Sequence, residues 1–142
     1  MTIARLIEGR TGTIITCDAD ASVREGVALL AERRIGAMPV MENGSIAGVF
    51  SERDVIRQLQ ALGPAMLDRK LRDVMTSPPV TVEPETSVLA ALGLMTRRRI
   101  RHLPVMRDGE MIGLVSIGDL VKSRIEHVES EAEALRTYIQ TA

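Results

Sequence analysis

Apolar positions along this chain come in short clusters whose spacing changes from one cluster to the next. Ile14 to Cys17 and Val80 to Val82 are short runs rich in β-branched residues and predict strands. After Ser22 the apolar residues Val23, Val27, Leu30 and Ala31 recur at helical spacing, and Glu25, three residues beyond the serine, completes a capping-box pattern. Ser87 opens the same pattern with Val88, Leu92 and Met95. Arg33-Arg34 and Arg98-Arg99 close these two helices, where positive charge suits the helix dipole. Met38 to Met41 and Ile46 to Phe50 predict strands joined by Glu42-Asn43-Gly44, because Asn-Gly and Asp-Gly between apolar runs favour tight hairpins. Further helices start at Ser51 and at Ser116.

The order strand, helix, strand, strand, helix therefore occurs twice, and the two copies align at a shift of 65 residues without a gap from Thr16 to Lys122. Arg33-Arg34-Ile35-Gly36-Ala37-Met38-Pro39-Val40-Met41 matches Arg98-Arg99-Ile100-Arg101-His102-Leu103-Pro104-Val105-Met106. Gly44 matches Gly109, Gly48 matches Gly113, Ser51 matches Ser116, and Asp54 matches Asp119. Such self-similarity marks a duplicated supersecondary unit. The copies are bounded as residues 1–62 and 75–124, with a linker over 63–74 that carries the helix-breaking Gly63-Pro64. Lys70 to Met75 reads as a short helical turn inside that linker.

From Ser116 to about Ile139 one long helix is expected, and residues 125–142 form an amphipathic C-terminal segment. Ile125, Val128, Ala132, Leu135 and Ile139 step by three and four residues, which is an a/d seam. The seam could pack on its own chain, but its length favours contact with a second chain.

Composition narrows the function. The 142 residues are 45 % hydrophobic and 26 % charged, a globular mixture, and no apolar run is long enough to span a bilayer. One Phe, one Tyr, no Trp and a net charge of −1 argue against nucleic-acid binding by stacking or by a broad phosphate contact. Arg97-Arg98-Arg99-Ile100-Arg101 is the densest basic run, but its repeat in the first copy has a structural reason at a helix end. A single cysteine, Cys17, rules out an internal disulfide framework. His102 and His127 lack ligand-spaced partners, so no metal is expected. The N-terminus has no signal-peptide core, and a cytoplasmic location is expected. No Cys/His or Ser/His spacing suggests catalysis, so the chain is expected not to be an enzyme.

Both copies carry Arg-x-x-x-x-Pro-Val, a Gly hairpin, and then Gly-Val-Phe-Ser-Glu-Arg-Asp or Gly-Leu-Val-Ser-Ile-Gly-Asp. This pattern resembles the CBS domain, named after cystathionine β-synthase. The resemblance implies an α+β fold in which two tandem β-α-β-β-α motifs pack through their sheets as a pseudo-two-fold Bateman module. It also implies dimerisation of modules and clefts that bind adenosine ligands such as AMP, ATP, NAD or S-adenosylmethionine.

The Ser-x-x-Asp pattern has its own chemistry. A helix start offers unpaired backbone N–H groups to a phosphate, and a carboxylate one turn on can accept both vicinal hydroxyls of a ribose. The same pair can instead be a plain helix cap. Carried over from the family, one ligand site would combine Ser51, Arg53 and Asp54 with Ile100, Arg101, His102, Leu103 and Pro104. The other would combine Ser116 and Asp119 with Ile35, Gly36, Ala37, Met38 and Pro39. Arg53 and Arg101 make the first set the more cationic, and it is expected to prefer exposed phosphates. The adenine is expected to lie against aliphatic groups near Ile35 or Ile100. The expected function is a non-catalytic adenine-nucleotide sensor, likewise a homodimer, that modulates a separate protein partner. The alternative is a ligand-free oligomeric scaffold working through its C-terminal helix.

Overall fold

A computed structural model describes residues 1–10 and 12–141. In chain order it holds α1 (Ile3–Ile7), β1 (Cys17–Asp18), α2 (Val23–Arg33), β2 (Ala37–Glu42) and β3 (Ser45–Ser51). Then follow α3 (Glu52–Leu62), a 3-10 turn (Gly63–Asp68), α4 (Leu71–Val74), α5 (Val88–Arg98), β4 (His102–Arg107), β5 (Glu110–Ser116) and α6 (Ile117–Thr141). The contacts divide the chain into a middle unit, Thr13–Val80, and a terminal unit formed by Met1–Gly12 with Thr81–Ala142. The architecture is α+β, with a small sheet in each unit and a long C-terminal helix.

The two units repeat the same local solutions. Ser22 Oγ accepts the Glu25 N–H at 3.1 Å and Ser87 Oγ accepts the Ala90 N–H at 3.0 Å. Each such cap stabilises its helix by about 1 kcal/mol. Both helices end on an arginine in the left-handed region, Arg34 at φ 53° and Arg99 at φ 55°. The next N–H then turns back, Ile35 to Leu30 O and Ile100 to Met95 O, which satisfies a terminal carbonyl. Asn43-Gly44 and Asp108-Gly109 all have positive φ, the backbone that a two-residue hairpin turn requires. Each hairpin carries a register shift at the same place, Val40/Met41 and Val105/Met106.

The cores keep their volume while exchanging side chains. In the middle unit Val23, Leu30, Met38, Val40, Phe50, Met66, Leu71 and Val74 are packed together and buried. A Cβ added at Gly26 would meet Phe50 Cε2 at 3.0 Å. In the terminal unit the matching positions are Ala91 and Val115, both buried. A larger helix residue there faces a smaller strand residue, as close packing demands.

Three findings differ from the sequence expectation. The opening strands are minimal: only Cys17–Asp18 pairs, in parallel with β2, and the second copy has the single bridge Val82 to Val105. Residues 63–74 are no spacer, since Met66, Leu71 and Val74 are buried in the middle unit's core. The N-terminal segment belongs with the second copy, where Ile3 N–H donates to Thr86 O at 2.9 Å and Ala4 N–H to Pro84 O at 2.8 Å.

These last two segments are equivalent. Leu71 N–H donates to Ala21 O at 2.9 Å and Arg72 N–H to Ala19 O at 3.0 Å, the bonds that Ile3 and Ala4 make in the other unit. A lead segment containing α4 or α1 thus packs beside each hairpin. Its approach is close: a Cβ on Gly48 would lie 2.7 Å from Thr76 O and 2.8 Å from Met75 Sδ, and one on Gly113 would lie 3.2 Å from Ile7 Cδ1. Gly48→Ala is therefore expected to cost about 1–3 kcal/mol through overpacking against a backbone oxygen. Gly113→Ala, which meets only a side chain, should cost clearly less in the same urea-unfolding series. Equal losses would refute this account of the approach.

Candidate functional site

Ser51 ends β3 and Ser116 ends β5, and a helix begins at the next residue in each case. The first helical N–H is satisfied locally: Glu52 N–H donates to Gly36 O at 3.0 Å and Ile117 N–H to Arg101 O at 2.8 Å. Across each strand pair Ser51 faces Ala37 and Ser116 faces His102. Gly36, Ala37 and Ser51 therefore meet in the middle unit, and Arg101, His102 and Ser116 meet in the terminal unit.

The two carboxylates at these ends have different surroundings. Asp54 is 4 % exposed. Its Oδ2 accepts the Ser51 N–H at 2.9 Å and the Ser51 hydroxyl at 3.2 Å, and its Oδ1 accepts the Thr76 hydroxyl at 3.0 Å. Three of the roughly four lone-pair positions of a carboxylate are thereby engaged. Asp119 is half-buried. Its Oδ2 accepts the Ser116 N–H at 2.8 Å, and its own N–H donates to Ser116 Oγ at 3.2 Å. The Arg10 guanidinium lies 3.1 Å from the same Oδ2 and donates to Leu114 O at 3.0 Å. Burial pushes the Asp119 carboxyl up, but the Ser116 N–H, the Arg10 guanidinium and the Ser116 hydroxyl together outweigh it. Its value is held below the ordinary one.

The remaining expected residues fall into two groups. Ile35, Gly36, Ile100 and His102 are half-buried, and Arg53 and Arg101 are exposed. Ala37, Met38, Pro39, Leu103 and Pro104 are buried. Met38 is part of the middle unit's packed core. Met38 and Leu103, both named for the ligand sites, have fully enclosed side chains in their own units. Four consecutive residues of β2 are buried, so that strand is covered on both faces and offers backbone rather than side chains. Cys17 is half-buried, and burial, opposed by the Asp18 backbone, pushes its thiol up. It is a small packing residue rather than a nucleophile.

Sequence reasoning missed Thr76 and Arg10. Both lie on the lead segments, which repeat at a shift of 68 residues, Ile3-Ala4-Arg5-Leu6-Ile7 against Leu71-Arg72-Asp73-Val74-Met75. That register sets Thr76 opposite Glu8 and Arg10 opposite Pro78, so it shows the segments but not these two contacts. The expectation that the Ser116 end is poor in positive charge changes with Arg10 in place.

The chain belongs to the CBS domain family, whose model matches residues 11–61 and 71–126. It is similar to a CBS domain-containing protein, CBSX3, mitochondrial, of Arabidopsis thaliana, with 39 % identity over 91 % of this chain. The chain spans 65 % of that relative's length. Among solved structures it is similar to a protein with CBS domains from Burkholderia ambifaria, at 37 % identity and a TM-score of 0.83, over 89 % of this chain and 95 % of the other. It is also similar to CBSX2 in complex with AMP, at 26 % identity and a TM-score of 0.73, over 88 % and 96 % of the two chains. Among the described residues no helix is long and apolar enough to cross a membrane, and no cluster of His, Cys, Asp or Glu could hold a metal ion.

The Arg10–Asp119 pair has a pH signature. With the folded carboxyl held low, the unfolded chain takes up the proton first as pH falls. The stabilisation is complete above the ordinary value of 3.8 and is lost as pH drops through the lower folded value. Arg10→Gln is expected to lower stability at neutral pH, with the deficit shrinking in acid. A deficit that stays constant across that range in urea melts would overturn this role of the pair.

Proposed function

We propose that the chain is a non-catalytic regulatory module that binds an adenine nucleotide, AMP in the first instance, at its Ser-x-x-Asp ends. The observation that carries this reading is the repeated serine–carboxylate pair at a strand-to-helix junction, in a chain similar to a CBS protein crystallised with AMP. The ligand-binding residues proposed are those expected from the sequence: Ser51, Arg53, Asp54, Ser116 and Asp119, with Ile35 to Pro39 and Ile100 to Pro104. Met38 and Leu103 take part only through their backbone.

The terminal-unit end is the better ribose site. Oδ1 of Asp119 accepts no hydrogen bond among the described residues, whereas both oxygens of Asp54 are engaged. Arg10, already on Asp119, supplies the positive charge for a 5′ phosphate. This adds positive charge to the end that Arg53 and Arg101 alone leave without it. Binding shifts a conformational equilibrium, which a separate cytosolic protein partner reads.

A thermal-shift panel of AMP, ATP, NAD, S-adenosylmethionine and adenosine tests the reading. A ligand present at a hundred times its dissociation constant stabilises the fold by about 2.7 kcal/mol. AMP is expected to stabilise, Asp119→Asn to abolish more of that effect than Asp54→Asn, and Arg10→Ala to weaken AMP while sparing adenosine. No stabilisation by any of these ligands would overturn the proposal in favour of a scaffold.

We also propose a homodimer through α6. Val128, Leu135 and Ile139 are exposed, Leu135 at 60 %, and they fall on one a/d seam. In a parallel pair, Glu131 of one chain faces Arg136 of the other, an attractive flanking contact. Leu135→Glu is expected to halve the mass measured by light scattering. An unchanged mass would exclude α6 as the contact.

A further inference from the structure

Away from the Ser-Asp ends, the terminal unit holds a cavity of about 200 Å³ between the start of α5 and the middle of α6. Ser87, Leu89, Ser123, Arg124 and His127 line it. Ser123 is 6 % exposed, and its Oγ has no hydrogen-bond partner among the described residues. A helix serine can bond back to the carbonyl four residues earlier, here that of Asp119. This one does not, and buried hydroxyls without partners are rare.

The charge around the cavity has one sign left over. Arg124 is half-buried and has no carboxylate at ion-pair distance among the described residues. His127 Nε2 lies 3.2 Å from Glu131 Oε1, so that acid is engaged by the imidazole. The α5 start adds its partial positive charge, although Val88 and Ala90 N–H already donate to Met1 O and Ser87 Oγ. The volume is well under the roughly 300 Å³ at which sites for drug-sized molecules begin.

We propose that this cavity binds a small tetrahedral oxyanion, phosphate or sulfate in size, with Arg124 as its counter-charge and the Ser123 hydroxyl as its buried donor. An anion supplies the two things the cavity lacks, a charge for a half-buried guanidinium and an acceptor for an orphaned hydroxyl. Water could satisfy the hydroxyl alone.

The test is a titration of the full ¹⁵N-labelled chain with sodium phosphate, then with sodium sulfate, at ionic strength held constant with sodium chloride. The amides of Leu89, Ser123, Arg124 and His127 are expected to shift together and saturate. Arg124→Gln should weaken the apparent affinity roughly tenfold or more, as loss of a charge-assisted hydrogen bond does. Ser123→Ala should weaken it by a smaller factor and Arg10→Ala should leave it unchanged. Since Arg10→Ala disables the proposed phosphate contact at Asp119, failure of this proposal and failure of the nucleotide reading are distinguishable. Shifts that never saturate, that survive Arg124→Gln, or that appear only around Ser51 and Ser116 would overturn it.

Discussion

Everything distinctive in each unit depends on the close approach of a lead segment to a glycine in the hairpin's second strand. A two-stranded hairpin is marginal in water and needs a further layer. One helix, α2 or α5, covers part of each hairpin, and the lead segment supplies the rest. Gly48 lets Thr76 pair with Val49, where backbone bonds run both ways at 3.0 and 2.9 Å. Gly113 lets Ile7 settle against its own strand. Without a side chain at those glycines the segments come near enough to place Thr76 on Asp54 and Arg10 on Asp119. The packing constraint therefore comes first and the electrostatics of each carboxylate follow from it.

The lead segments also explain why the chain does not divide at the boundary of its repeat. The segment before the first copy serves the second, and the segment between the copies serves the first. Each unit is thus completed by residues that a simple cut at the linker would assign elsewhere. The middle unit is in effect an insertion within the terminal unit, joined to it by two covalent crossings.

Much of this was legible in the residues. Helix starts at Ser22 and Ser87, both Gly hairpins, the long C-terminal helix and the serine–carboxylate pairs all follow from local rules with a specific mechanism. The strands at Ile14 and Val80 were overestimated because β-branched runs report propensity, and pairing is decided by the partner edge. The lead helix α1 escaped because five residues are too few for periodicity to speak, whereas its counterpart α4 was legible as the short helical turn at Lys70 to Met75. They exist by tertiary packing of Ile3 and Leu71, not by their own stability. Met38 and Leu103 were placed in a binding site because a family pattern marks the strand they lie on, and that pattern says nothing of the burial of their side chains.

The two Ser-x-x-Asp sequences show why a motif underdetermines chemistry. A capping carboxylate and a ribose-binding carboxylate use the same lone pairs, so the two roles compete at one residue. Where a third donor arrives, as Thr76 does at Asp54, the balance moves toward the cap and the group is enclosed. Where the third donor is a guanidinium on an exposed edge, as Arg10 is at Asp119, the carboxylate keeps one oxygen open and gains a neighbouring charge. Duplication thus gave two identical spacings, and divergence in the lead segments, outside the motif, left one carboxylate enclosed and the other beside a guanidinium.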